Sequence, residues 1–265
     1  MHINVFDHYH EQTTAVHRLD PRVKVVVVVL FILSNALLPD GVWLAYALMG
    51  LLIWLAARAA NLSMGFLVKR SLIVLPFLLA AITIPFTLPG TTILTLHVGQ
   101  HALSISDAGL IRFISIMVRS WLSVLAAIGL TATTPFPDLL HALRHLHVPR
   151  VLIAIISFMY RYLFVLADEA LRLLRARESR SARSLAGKGG GSIWWRAQVA
   201  GSMIGQLLLR SLERSDRVYN AMLARGYRGE LLTMTTHEMT SRDWWVGGTA
   251  VTLLLLIQVG GHTFL

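Results

Sequence analysis

Asp168-Glu-Ala-Leu-Arg-Leu-Leu-Arg-Ala-Arg-Glu-Ser-Arg-Ser-Ala-Arg-Ser184 and Arg210-Ser-Leu-Glu-Arg-Ser-Asp-Arg-Val-Tyr-Asn-Ala-Met-Leu-Ala-Arg-Gly226 are two arginine-rich runs set between segments apolar enough for a membrane. The first closes on Ala182, Arg183 and Ser184 and the second on Ala224, Arg225 and Gly226. Each also carries an arginine seven residues before its alanine, Arg175 and Arg217, so two turns of helix place that arginine near the face of the motif. Small residues on either side of Arg183 and Arg225 let a partner's surface come close. A guanidinium can then make a two-pronged contact with a carboxylate. Two similar arginine-tipped helices on one side of a membrane protein, with no nucleotide site, read as a coupling element for a pair of similar soluble partners.

Working outward, 55% of the 265 residues are hydrophobic and 14% charged, with a mean hydropathy of +0.62. That is too little charge to solvate a globule, and the chain reads as an integral membrane protein. A net charge of +10 beside apolar spans points to cytoplasmic surface and anionic membrane lipid, not to nucleic acid. The absence of cysteine excludes disulfides, thiolate metal sites and a cysteine nucleophile. The first apolar run begins only at Val23, behind His8, His10, Arg18, Asp20 and Arg22, an order that does not suit a cleavable signal peptide.

Five spans are expected in an all-α membrane protein, together with long cytoplasmic coupling helices. Residues 1–22 form a cytoplasmic N-terminal segment, and Asp20 before Pro21 is an N-cap followed by a first-turn proline. Residues 23–132 form a membrane domain of four spans, the first two joined by the turn Pro39-Asp40-Gly41. The third, 71–88, carries Pro76 and Pro85, which remove backbone donors and bend or break a helix. Residues 89–107 alternate like a hairpin turning at Gly99-Gln100, and their lack of Lys and Arg puts them outside. The fourth span holds Arg112 and Arg119 on one face. Arg119 falls near mid-membrane, where a structural role is expected: with no acid in the predicted spans, its partners are the carbonyls freed by Pro76 and Pro85.

Residues 133–243 form the cytoplasmic coupling region and 244–265 the last span, anchored by Trp244 and Trp245. Sixteen of the 24 Lys and Arg lie between Ala132 and Asp243, so Arg150 to Ser184 reads as one long helix that does not cross, although Val151 to Ala167 is apolar enough to do so. The glycine-rich joint from Gly187 to Ser192 fails as a phosphate loop, because Lys188 is followed by Gly189 and no strand precedes it. His97 and His101 lack the spacing of metal ligands on one face, and no cofactor is implied. The lack of Asp, Glu or His within the predicted spans argues against a proton-driven pump or an intramembrane hydrolase, so the chain is read as non-catalytic and its energy as a partner's.

These residues resemble the T component of energy-coupling factor transporters, and within that family the cobalt and nickel branch called CbiQ. The resemblance is carried by His17-Arg18-Leu19-Asp20-Pro21-Arg22-Val23-Lys24, the Arg119-containing span, Phe158-Met-Tyr-Arg-Tyr-Leu-Phe-Val-Leu-Ala-Asp-Glu-Ala170, Arg175-Ala176-Arg177-Glu178 and the two tripeptides. Ser184 stands where glycine is also common in the family, a change between two small residues. The resemblance implies a prokaryotic inner or plasma membrane protein that works with two cytosolic ATP-binding-cassette ATPase subunits and a substrate-binding membrane S subunit. It also implies that Arg183 and Arg225 each sit in a groove of one ATPase, and that Val151 to Ala167 holds the S subunit. A T component serving vitamin-binding subunits, or a self-contained permease with a lipid-facing basic collar, are the alternatives. A membrane-bound enzyme is a third class.

Overall fold

A computed structural model describes residues 14–76, 81–87, 89, 91–98, 101–146, 148–180, 192–229 and 239–263. The protein is an all-α membrane protein with one small hairpin. Its described elements are α1 (Pro21–Leu37), α2 (Trp43–Ala59), α3 (Met64–Ser71), α4 (Ile84–Thr87), β1 (Thr92–Val98), β2 (His101–Ser106), α5 (Asp107–Thr133), α6 (Phe136–His145), α7 (Arg150–Arg180), α8 (Ile193–Ala224) and α9 (Ser241–Thr263). The chain divides into two compact units, one of Leu146–Thr235 and one of His2–His145 with Thr236–Leu265.

In the second of these, the membrane unit, α1 begins where Asp20 caps it: the Asp20 carboxylate accepts from the Arg22 N–H at 2.8 Å, and Pro21 occupies a position that has no helical donor to lose. Helix α1 runs antiparallel to α5, since Lys24 reaches Thr133, Asn35 reaches Ser123 and Gly41 reaches Ser115. Helix α2 packs on both α5 and α9, and α9 also packs on α1. Phe31, Met49, Leu122 and Leu254 form the centre of this apolar core. In lipid the hydrophobic effect does not press helices together, so side-chain hydrogen bonds, worth about 0.6 kcal/mol each on average, take a share of the specificity. The fully buried Asn35 donates to the Arg119 carbonyl and the Ser123 hydroxyl, both at 2.9 Å, and the Trp121 indole donates to Ser71 Oγ at 2.6 Å.

The described residues of the expected third span are not one helix. They run from Ser71, the last residue of α3, through a 3₁₀ turn at Leu72–Val74, a second 3₁₀ turn at Ala81–Thr83 and the four-residue α4, with residues 77–80 and 88 outside the description. A proline breaks a helix by lacking the donor that the preceding turn needs, and short pieces lose little by accommodating one. These pieces pack on α5, where Gly109 permits the approach: a Cβ there would lie 2.9 Å from the Pro85 Cα. The β1–β2 hairpin pairs antiparallel from Val98 opposite His101 to Thr92 opposite Ser106, with an irregularity between Thr92 and Leu94.

Among the described residues three helices, α5, α7 and α9, are long and apolar enough to cross a membrane, and α2 is a shorter apolar helix. Length and composition thus suffice for a crossing by α7 as well, the helix expected from the charge distribution not to cross.

Candidate coupling site

The described residues of the unit Leu146–Thr235 lie mainly in two long helices, α7 of 31 residues and α8 of 32, which at 1.5 Å per residue extend about 45 Å each. Within the described residues of this unit, both helices keep most of their surface open. Ala154 is the single buried residue of α7, and α8 has none. Along the first turns of α7, Val151, Leu152, Ile155 and Met159 are between 50% and 64% exposed. Apolar surface of this extent, left open on a helix, belongs against lipid or another protein.

Among the described residues, one carboxylate of α7 reaches two arginines of α8. Glu169 accepts from Arg172 on its own helix at 2.6 Å and from Arg210 of α8 at 2.7 Å, with Arg214 of α8 at 3.8 Å. Glu169 lies past the apolar half of α7, and the hydrogen bond from Arg210, followed by that from Arg172, holds its carboxyl below the ordinary glutamate range. Sequence reasoning passed over Glu169 as a site. An acid surrounded by arginines was the signal available, but nothing local indicates which arginine of the second helix it meets.

The eight residues of the expected coupling site divide sharply. Ala182, Arg183 and Ser184 lie outside the described residues, as does the joint from Gly187 to Gly191. Ser192 caps α8, its hydroxyl accepting from the Trp195 N–H. Arg175 and Arg217, at the same offset in sequence, do different things. Arg175 folds back to donate to its own Leu171 carbonyl at 3.3 Å, whereas Arg217 lies 3.8 Å from Glu213 in an exposed pair.

The second motif is the end of α8 itself. Ala224 is the last helical residue, Arg225 the C-cap, and Gly226 takes a left-handed φ of +79°. The Gly226 N–H donates to the Leu223 carbonyl at 2.9 Å and the Tyr227 N–H to the Met222 carbonyl at 3.0 Å, the paired bonds of a Schellman closure. Glycine is therefore needed at 226 for its backbone, not merely because it is small, and serine at that position would be strained. The closure leaves Arg225 exposed at a fixed helix tip. We expect Gly226→Ala to cost about 1–2 kcal/mol locally. Amide exchange at Gly226 and Tyr227 should then accelerate roughly tenfold, by the ratio of about 1.4 kcal/mol per factor of ten. An unchanged exchange rate would contradict this account of the cap.

Arg119 has partners other than those expected. Its guanidinium makes an ion pair with Asp40 in the α1–α2 turn and donates to the Ala36 carbonyl at 3.5 Å, while it lies 5.9 Å from the Tyr46 ring centroid. Arg112 approaches the same carboxylate at 3.8 Å. The side chain thus runs from α5 to the end of α1, where an acid outside the spans and a helix C-terminal carbonyl meet it. Pro85 is buried in α4 beside Gly109, and among the described residues Arg119 takes the Ala36 carbonyl and the Asp40 carboxylate as acceptors, not a carbonyl freed by Pro76 or Pro85.

Residues 12–236 match the family model described as cobalt transport protein, CbiQ. The chain belongs to the CbiQ family. It is 28% identical over 182 residues to the cobalt transport protein CbiQ of Rhodobacter capsulatus, covering 69% of this chain and 71% of that one. It is 29% identical over 255 residues to the energy-coupling factor transporter transmembrane protein EcfT of Macrococcus caseolyticus, covering 92% and 91%. With the nickel permease LarQ of Lactiplantibacillus plantarum it shares 30% identity over 130 residues, covering 49% and 45%. Membership in CbiQ makes the chain the membrane component of a transporter. Among the described residues of this CbiQ-family chain, no group of three or more His, Cys, Asp or Glu side chains is placed to hold a metal ion. His97 stands opposite Ala102 and His101 opposite Val98 in the hairpin.

Proposed function

We propose that this CbiQ-family chain is the non-catalytic energy-coupling subunit of an ATP-driven importer of the energy-coupling factor type. Two cytosolic ATPase subunits hydrolyse ATP, a substrate-binding membrane subunit carries the cargo, and this chain transmits motion from one to the other. The cargo is cobalt or nickel ion, a reading supported by the relatives named as cobalt transport protein and nickel permease. The observation that carries the coupling role is the exposed Arg225, held at the closed tip of α8 by Gly226. Arg183, at the corresponding place after α7, is its counterpart. Each docks in a carboxylate-bearing groove of one ATPase, and ATP-driven closure moves α7 and α8 against each other. The open apolar face from Val151 to Ala167 holds the substrate-binding subunit.

The protein sits in the inner or plasma membrane of a prokaryote with five crossings, and its N-terminus and residues 133–243 face the cytoplasm. The 16 Lys and Arg between Ala132 and Asp243 support this orientation. With no native cysteine to interfere, Ser181→Cys should react with an impermeant maleimide only from the cytoplasmic side and Ser104→Cys only from outside. External labelling of Ser181→Cys would remove the five-crossing arrangement.

The function itself is tested by purifying the tagged subunit in mild detergent from cells that express its neighbouring genes. ATP-binding-cassette ATPases should be retained in stoichiometric amount, and the purified assembly should hydrolyse ATP. A subunit that transports cobalt or nickel ion in vesicles without any ATPase would be a permease, and the coupling role would fall.

A further inference from the structure

Three helix ends meet in a buried polar knot at one end of the membrane unit. Asp20, Lys24 and Asp243 are 4%, 8% and 4% exposed. Asp243, in the first turn of α9, uses one carboxylate oxygen on the residue just before that helix, accepting from the Thr240 N–H at 2.9 Å and the Thr240 hydroxyl at 2.6 Å. Its other oxygen accepts from the backbone N–H of Asp20, the N-cap of α1, at 3.2 Å. One carboxylate thus serves the N-terminal ends of two helices. Lys24 donates to the carbonyls of His17 and Thr133, both at 3.2 Å. Thr133 is the last residue of α5, where helical carbonyls have no partner of their own and a cation is favoured by the helix dipole.

Burying such charges is costly, and an apolar cluster of the same size often stabilises a fold equally well. Helix ends at a membrane surface can be capped by neighbouring residues and water. These ties instead span 109 and 223 residues of sequence. Their placement on the chain gives the reason. The chain leaves the membrane unit through α5 and α6, enters the unit Leu146–Thr235, and returns at α9. Any covalently transmitted force between the two units therefore passes the end of α5 or the start of α9.

We propose that Asp20, Lys24 and Asp243 are positioning residues for energy coupling. They clamp the outgoing and returning passages of the chain together on α1, so that motion of the α7–α8 unit moves the membrane helices as a body instead of prying α5 from α9. This rests on the coupling function proposed above.

The test uses the complete complex with its ATPases in proteoliposomes, reading cobalt or nickel ion imported per ATP hydrolysed. Lys24→Met and Asp243→Asn should retain ATPases in wild-type stoichiometry and hydrolyse ATP, while the import ratio falls about tenfold or more. Lys24→Arg, which keeps the cation and its donors, should recover most of the ratio. A purely structural role predicts less assembled complex with an unchanged ratio in what remains, and a ratio within about twofold of wild type in both variants overturns the clamp. If Lys24→Met or Asp243→Asn fails to assemble, Thr240→Val decides in the same way. It loosens the Asp243 end and leaves every buried charge in place. A wild-type complex that binds no ATPase sinks the coupling function, and the clamp with it.

Discussion

Reversing both motif arginines, Arg183→Glu with Arg225→Glu, is expected to strip the ATPases from the purified membrane subunit and abolish uptake. Arg225 is exposed on a closed helix end and makes no ion pair among the described residues, unlike Arg172 and Arg210 on Glu169 or Arg217 beside Glu213. Its charge is free to meet a partner's carboxylate. Truncating one side of a buried charge pair costs about 2–5 kcal/mol, and a glutamate facing that carboxylate adds repulsion to the loss. Arg225→Glu alone should therefore loosen one ATPase, and the double variant both. A basic collar resting on lipid predicts a far smaller change, about 1 kcal/mol for each charge removed. The measurement is ATPase stoichiometry on the purified subunit together with ion uptake. Normal values in the double variant would transfer the function to a self-contained permease.

Removing Arg119 should cost stability before it costs mechanism. Arg119→Ala leaves the Asp40 carboxylate, among the described residues, with the more distant Arg112 and leaves the Ala36 carbonyl without its Arg119 donor. A loss of about 1–3 kcal/mol follows for a partly buried polar contact of this kind. Asp40→Asn should cost less, and the double variant should fall short of the sum, because both substitutions remove the same interaction. Thermal unfolding in detergent measures all three. Should Arg119→Ala unfold and assemble like the wild type yet import nothing, the residue acts in transport and not in holding α5 to the α1–α2 turn.

Features that depend on neighbours along the chain are legible from the residues alone. Composition and apolar run length made this a helical membrane protein, and Asp20 before Pro21 marked the start of α1, because capping acts within one turn. The tripeptide at 224–226 was visible as a motif for the same reason. Along the chain its glycine is only a small contact residue, whereas the bonds from Gly226 and Tyr227 make it the left-handed closure of α8. Proline rules indicated a break within 71–88, but how the pieces lie depended on the approach of Pro85 to Gly109. Tertiary structure decided the pairings. Arg119 meets Asp40, Glu169 gathers Arg210 and Arg214, and Asp243 reaches Asp20 across 223 residues. The physical reason is that periodicity and capping are set by a few adjacent residues, whereas the choice among many chemically equivalent arginines and carboxylates is made only when packed helices bring one pair within hydrogen-bond reach and leave the others in solvent or lipid.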